Sequence, residues 1–326
     1  MPMTNYPQGF ANGLSVRGMP LLQMQPGEVF WVNNSSVLNN NAIGGSDGNP
    51  GTFHKPFATL DYAIGRCKAN RGDIIFVGRG HAETLTAAAA IALNVAGIAV
   101  VGLGAGSLRP TFTFTTVNSA SITVAANDIS IQNCLFISGV AALATVFDNA
   151  NAVVAKDFAI DNCEFRDSST TLNIVRCFRS GTTANQADGF TFTNNKVASI
   201  MATPTAATTA VLSQAAQARF NLSGNSIHRT AALNNTATLL AMGANAHTQL
   251  TVANNCSVTP NTGTTAGELI SGGGTASDGL VSGNWVWHLA ATGLIAPVST
   301  KLAFAENYCS ITGAADKSPL LNPAAV

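Results

Sequence analysis

The chain has 326 residues, only 10% of them charged, and its formal net charge at pH 7 is +0. Surfaces that hold nucleic acid through its phosphates are basic, so this balance argues against a nucleic-acid partner. A membrane-spanning helix needs about 18 consecutive apolar residues. The chain has no such run, and residues 1–8 lack the pattern of a secretory signal, so we expect neither feature.

Residues 1–45 are predicted to form an extended N-terminal arm with short strands at 21–24 and 28–32. Apolar residues in segment 6–20 are spread between glycines and prolines, a pattern that excludes a regular helix. The arm either docks on a partner or folds back onto its own first coil. The residues expected to make the partner contact are Tyr6, Phe10, Leu14, Val16, Arg17, Met19, Leu21, Leu22, Phe30 and Trp31.

A glycine-rich loop from residue 44 leads into a helix predicted near 58–67 and a strand at 72–77. The segment resembles the entry to pectate-lyase-like β-helices, in which a helix plugs the first coil and a strand follows. The matching residues are Asp47, Gly48, Gly51, Thr52, Pro56, Phe57, Thr59, Leu60, Ala63, Ile64, Gly72, Asp73, Ile75 and Val77. The resemblance implies a fold and says little about function.

From residue 129 onward, a motif of about nine residues returns roughly every thirty positions. Apolar residues stand at positions 0, +2 and +7, and cysteine or asparagine stands at +5. Clear copies begin at Ile129, Phe158, Phe190, Phe220 and Leu302, and degenerate copies begin at 250 and 279. Self-similarity at a fixed period indicates a stack of equal structural units.

The spacing within the motif predicts two strands joined by a short turn. Alternation at 0 and +2 gives one inward face, and the shift to +5 and +7 changes the parity. Asparagine tolerates the left-handed conformation, and its amide can bond a neighbouring coil, so +5 is placed inside the bend. We therefore predict an all-β protein, a right-handed parallel β-helix of about nine coils over residues 46–312. Residues 313–326 form a C-terminal tail.

Two other folds fit the repeat less well. A leucine-rich repeat would show a grid of leucines, which is missing here. An eight-stranded sandwich would not hold a constant period.

No CxxC pair occurs among the six cysteines, so no metal cluster is expected. Cys134 and Cys163 should stack on adjacent coils, where a disulfide is possible but reduced thiols are favoured for a chain folded in a cytoplasm.

Glycosidases and lyases of this fold would need acids at matching offsets on adjacent coils. Asp161 and Glu164 lack acidic counterparts in the flanking coils. Asp128 and Asp157 share one offset, with Asp188 near it, and form the best candidate for a carboxylate rung. Aspartates at turns are the favoured explanation. We therefore predict no catalytic residue, no metal ligand and no cofactor.

Two other groups have both a functional and a structural explanation. His81 and Glu83 could support chemistry, but a loop pairing at the mouth of the first coil is favoured. A patch near the C-terminal end could bind sugar through aromatic faces, or could cover an irregular rung or pack on a partner. Its members are His228, Arg229, Trp285, Trp287 and His288.

Segments 6–20, 26–32 and 78–84, together with the cap, resemble a group of tailed-bacteriophage virion proteins with a β-helical body. The resemblance implies a structural protein, assembled in the host cytoplasm and displayed on the capsid surface of the virion. We expect a capsid decoration (cement) protein, a homotrimer that binds the major capsid protein at capsomer junctions and is not an enzyme. One alternative is a tailspike that binds or depolymerises host surface polysaccharide, and another is a tail fibre that binds a receptor without cleaving it.

Overall fold

The computed structural model describes residues 15–16, 19–20, 27–35, 44–149, 153–200, 208–229, 237–259, 268–288, 296–297 and 301–311. Within these residues the chain is a parallel β-helix with three faces, as the repeat predicts. The strand Val29–Val32 comes first, eight coils then contribute one strand to every face, and residues 301–311 add two further strands. The number of complete coils is thus slightly below the predicted nine.

Face one has ten strands, and face two, which follows it in each coil, has nine. The strands of face one, in stacking order, are Val29–Val32, Ile74–Val77, Ala99–Gly102, Ser130–Gln132, Ala159–Asp161, Thr191–Thr193, Asn221–Ser223, Leu250–Ala253, Asp278–Ser282 and Lys301–Ala305. Those of face two are Ala82–Leu85, Thr111–Phe114, Leu135–Ser138, Glu164–Asp167, Lys196–Ser199, Ser226–Arg229, Cys256–Thr259, Trp285–His288 and Tyr308–Ile311.

Face three has eight strands. They are Ile91–Leu93, Ile122–Val124, Phe147–Asn149, Arg176–Ser180, Thr209–Leu212, Ala237–Ala241, Glu268–Gly272 and Ala296–Pro297. Two further pairs of short strands are formed by Ser15–Val16 with Met19–Pro20 and by Gln217–Ala218 with His247–Thr248. The first of these pairs is antiparallel and the second is parallel.

The register of face one follows the motif. Ile131 pairs with Ile160, Ile160 with Phe192, and Phe192 with Leu222, and all four side chains are buried. Equivalent residues therefore form columns inside the solenoid, each coil adding one member. Because adjacent strands lie about 4.8 Å apart, successive members of a column are in direct contact.

The cap helix is shorter than predicted, Leu60–Arg66, and begins after Thr59, whose hydroxyl accepts a hydrogen bond from the Tyr62 N–H. It buries Leu60, Ala63 and Ile64. A 3₁₀ turn at Gly106–Leu108 completes the helical segments that are described. No helix among the described residues has the length and apolar character to cross a membrane.

The turn inside the motif differs from the prediction by one position. The left-handed residue is at +4, as at Asn133, Asn162 and Asn194, with φ of 55°, 50° and 55°. The residue at +5 points inward and bonds the neighbouring coil, as predicted, and its amides build a ladder. The ladder members are Asn195, Asn225, Asn255, Asn284 and Asn307, all buried. The bend needs one residue that tolerates positive φ and a second one that bonds the next coil.

Each rung of the ladder satisfies backbone groups of its neighbours. The Asn225 N–H donates to Asn255 Oδ1 at 3.0 Å, and the Asn255 side chain donates to the Leu222 carbonyl at 2.9 Å. Cys134 and Cys163 occupy the same column as free, buried thiols. The Cys134 N–H lies 3.5 Å from Cys163 Sγ, so sulfur replaces the amide oxygen there.

Candidate binding surface

Three aromatic side chains form a cluster on the outer side of face one, at its N-terminal end. Trp31 and Phe76 are in register on adjacent strands, with ring centroids 5.0 Å apart. The ring of Phe53 packs edge-on against Trp31 at 4.9 Å, and 46% of the Phe53 residue is exposed. We call Trp31, Phe53 and Phe76 the N-terminal aromatic cluster.

A cleft of about 240 Å³, partly open to solvent, lies beside this cluster. Arg79, Leu103 and Gly104 complete its lining together with Trp31, Phe53 and Gly78. Gly104 has φ of +99°, and a Cβ there would lie 2.5 Å from the Leu108 carbonyl oxygen and 3.1 Å from Arg79 Cβ. A larger residue would strain the turn and crowd the cleft. Aromatic residues and arginine are the types enriched at protein interfaces.

The structure places the predicted contact residues in different settings. Phe30 is only 9% exposed, and its ring lies 5.9 Å from that of Phe57, so it is a core residue rather than a surface contact. Trp31 points outward. Val16 and Met19 lie in the two-stranded antiparallel pair. The others, Tyr6, Phe10, Leu14, Arg17, Leu21 and Leu22, lie outside the described residues.

The strand Val29–Val32, which we assigned to the arm, is the first strand of face one. Its residues alternate in burial because it pairs in register with Ile74–Val77 and continues the same inward and outward pattern. At least this part of the predicted arm therefore folds back onto the first coil.

Glu164 is the centre of a network of opposite charges on face two. Its carboxylate lies 2.7 Å from Arg166 and 3.5 Å from both Arg109 and Lys196. Burial alone would raise the pKa of Glu164, but the hydrogen bond and charge of Arg166, with Lys196, hold it below its ordinary value. A general acid for glycoside cleavage needs the opposite shift.

Asp161, the companion of Glu164 in the sequence, serves the stacking of coils. It accepts hydrogen bonds from Thr193 Oγ1 at 2.7 Å and from Asn194 Nδ2 at 2.9 Å, both in the next coil. In the part of the chain that the structure describes, no three His, Cys, Asp or Glu side chains are grouped so that they could hold a metal ion.

The three aspartates of the candidate rung lie at turns between coils. Asp128 and Asp157 have φ of 56° and 54°, the left-handed conformation that aspartate tolerates. Asp157 pairs with Arg219 at 3.3 Å, and Asp188 pairs with Lys156 at 3.5 Å. The structure therefore agrees with turn aspartates as the explanation for this rung.

His81 and Glu83 link the cap to the first coil. His81 Nε2 lies 3.1 Å from Glu83 Oε2, and the His81 ring accepts from the Asn34 N–H at 3.2 Å. Glu83 also accepts from the Leu60 N–H, at the start of the cap helix, at 3.0 Å. The pair therefore has a structural role: its hydrogen bonds join the cap helix and Asn34 to the first coil.

The residues of the predicted sugar patch do not all lie on one surface, because adjacent residues of a strand point to opposite sides. Trp285 is 62% exposed, Trp287 is 36% exposed, and His228 is exposed as well. Arg229, which we placed in the same patch, is instead 5% exposed and points into the corner after face two. Adjacent strand residues point to opposite sides, so His228 and Arg229 cannot share a surface.

This corner holds a buried polar group that the sequence analysis missed. Arg229 donates to the carbonyl oxygens of Thr208 and Thr238 at 2.8 and 3.3 Å, and burial lowers its pKa to about 10. Asp167 accepts from the Ile174 N–H at 2.9 Å and from Ser199 Oγ at 2.6 Å. These contacts give the corner a structural role. The sequence signal for it is a polar residue at the last position of three successive face-two strands, Asp167, Ser199 and Arg229.

No protein-family model matches the chain, and no curated protein does. Among solved structures, the chain is similar to a rhamnogalacturonan lyase, with 13% sequence identity and a TM-score of 0.39. That similarity covers 87% of this chain and 74% of the lyase. At this level it carries no argument about activity, and the fold assignment stands on the strand order and register described above.

Proposed function

We propose that this chain is a structural protein of a tailed-bacteriophage virion and not an enzyme. In this proposal it decorates the capsid surface as a homotrimer and binds the major capsid protein at capsomer junctions. The resemblance of residues 6–105 to phage virion proteins supplies the setting. The observation that carries the binding role is the N-terminal aromatic cluster, which includes Trp31 of the predicted arm.

The cluster has the chemistry of an interface anchor. Trp31 and Phe53 present large apolar surfaces, and Arg79 adds a cation that suits an acidic or carbonyl-rich partner. The rings are held by one another and by register on the first two strands of face one, so little side-chain freedom is lost on binding. A preorganised aromatic surface favours tight attachment to a rigid shell.

The outer acids support a role without hydrolysis. Inverting and retaining glycosidases both need one carboxyl group with a raised pKa to act as the acid. Glu164 has its pKa lowered by its basic neighbours, and Asp157 and Asp188 are paired with cations. Asp167 has a pKa raised by burial, but it is only 3% exposed and its oxygens accept hydrogen bonds from the chain itself.

The test is binding of the purified chain to empty phage shells. Phe53→Ser should weaken binding about tenfold or more because it removes the most exposed ring of the cluster. Val154→Ser is the matched control, since Val154 is 47% exposed and lies several coils away. Unchanged binding by Phe53→Ser, or an equal loss in both variants, would remove the cluster from the interface.

Deletion of residues 1–26 separates the arm from the cluster, because it leaves the strand Val29–Val32 in place. If the arm grips the shell, this truncation lowers affinity beyond the effect of Phe53→Ser. If shells bind the truncated chain as well as the full one, the contacts predicted within residues 1–26 are wrong.

A tailspike that acts on host polysaccharide is the second candidate, and the exposed Trp285 favours it. The two candidates differ in chemistry. Release of reducing ends or unsaturated sugars from host capsule by the purified chain would overturn the non-enzymatic proposal.

A further inference from the structure

The outer side of face two changes character over its last four strands. Two outward columns run along it in register. One passes through Ser226, Cys256, Trp285 and Tyr308. The other passes through His228, Val258 and Trp287. Small or half-buried residues at the strand Cys256–Thr259 are thus followed directly by two tryptophans.

Trp285 has different neighbours on its two sides. On the C-terminal side it stacks on Tyr308, with ring centroids 4.8 Å apart and planes inclined by 30°. On the N-terminal side its in-register neighbour is Cys256, whose thiol is far smaller than an indole ring. Trp285 is 62% exposed, in keeping with one face left open to solvent above Cys256.

Polar groups stand on the far side of this gap. His228 is exposed, and its Nε2 lies 2.8 Å from Ser226 Oγ. The strand of Ser226 and His228 is two strands from that of Trp285, and two strand spacings are about 9.6 Å. We call the space above Cys256 and Val258, between Trp285 and His228, the Trp285 slot.

We propose that the Trp285 slot binds an uncharged sugar ring of a glycan. A sugar ring has an apolar face of C–H groups, which suits the open indole face, and hydroxyl groups at its edge, which suit His228 and Ser226. Small-molecule sites combine an aromatic wall with a few polar groups in this way. Trp287 lies two residues along the strand, about 6.8 Å away, and offers a place for a second ring of the same chain.

Charge selects the sugar over a nucleic acid. Nucleobases also stack on aromatic rings, but strand binding requires Lys or Arg for the phosphates. The outward residues of the strands Ser226–Arg229, Cys256–Thr259 and Trp285–His288 whose side chains are described are Ser226, His228, Cys256, Val258, Trp285 and Trp287, with neither Lys nor Arg among them. This inference is independent of the virion proposal.

The experiment is titration of the full-length chain with four neutral hexasaccharides: cellohexaose, maltohexaose, laminarihexaose and isomaltohexaose. Tryptophan fluorescence reports binding, because two of the three tryptophans line the slot. At least one hexasaccharide should change the emission saturably, and Trp285→Ala should weaken that ligand about tenfold or more. Leu280→Ala is the matched control, since Leu280 is 43% exposed on face one of the same coil.

A second variant tests the slot without removing Trp285. Cys256→Trp would fill the space with an indole, so it should abolish binding while it preserves the fold, as checked by circular dichroism. Failure of all four hexasaccharides to bind the unaltered chain would overturn the proposal, as would undiminished binding by Trp285→Ala. Binding of single-stranded oligothymidine in place of the sugars, or a Trp285-dependent dimer in sedimentation, would assign the slot to another occupant.

Discussion

The upstream and downstream coils of this β-helix share one repeat but are stabilised differently. In the coils from 129 to 200, phenylalanines fill the interior, Cys134 and Cys163 precede Asn195 in the +5 column, and ion pairs cover face two. In the coils from 220 to 311, aliphatic residues fill much of the interior, asparagines occupy the +5 column, and aromatic residues cover the end of face two. The same backbone repeat therefore accommodates different core side chains and different surface side chains in the two sets of coils.

The inward phenylalanine column of face two shows most clearly how aromatic packing fills the interior of the upstream coils. Ring centroids of Phe112 and Phe136 are 5.6 Å apart, those of Phe136 and Phe165 are 5.3 Å apart, and both pairs are stacked. The same column continues as Val197 and then, in the downstream coils, as Ile227 and Ser257, whose side chains are smaller. In this column, apolar burial thus contributes more per residue upstream than downstream.

The largest effect should come from breaking this column. Phe165→Ala should lower the free energy of unfolding by about 4 kcal/mol, because it leaves a cavity beside the ring of Phe136, on which Phe165 stacks. Ile227→Ala, at the equivalent downstream position, should cost about 3 kcal/mol. Urea denaturation followed by circular dichroism measures both, and a smaller loss for Phe165→Ala than for Ile227→Ala would contradict the contrast.

The sequence predicts the columns better than it predicts the corners. Apolar residues at 0, +2 and +7 fix the register, because one face of each strand must be buried, and the paired residues follow that prediction. The left-handed turn was placed one residue late, since asparagine suits both that conformation and a buried ladder. At +4 the chain also uses Gly224, Gly283 and Glu306, so residue type alone did not mark the position.

The surface was predicted less completely than the core. Strand parity alone would have separated His228 from Arg229, but the burial of an arginine depends on carbonyl groups of distant coils. The N-terminal aromatic cluster joins Trp31, Phe53 and Phe76 through a loop and two strands. Such a meeting of residues far apart in the chain leaves no periodic signal, whereas the open side of Trp285 follows from its register with Cys256.

A somewhat smaller effect should come from breaking the downstream ladder. Asn255→Ala should lower the free energy of unfolding by about 3 kcal/mol, because it leaves the Asn225 N–H and the Leu222 carbonyl without their partner in a buried site. Cys163→Ala, in the same column upstream, should cost about 1 kcal/mol, since the hydrogen bonds of its sulfur are long, 3.5 Å from the Cys134 N–H and 3.4 Å to the Asp161 carbonyl. Equal losses in the two variants would show that the amides add no more than packing.

The smallest effect concerns the charges outside the upstream coils, and it depends on pH. The pKa of Glu164 is lowered in the folded chain, so its contribution to stability is present above its unfolded pKa of about 4.3 and is lost as pH falls through the folded value. Glu164→Gln should therefore cost roughly 1 kcal/mol near neutral pH, and the difference from the unaltered chain should shrink in acid. Denaturation curves at a series of pH values measure it, with Glu306→Gln, on an exposed downstream turn, as the control. A difference that stays constant down to about pH 3 would mean that Glu164 stabilises the upstream coils by packing and not by charge.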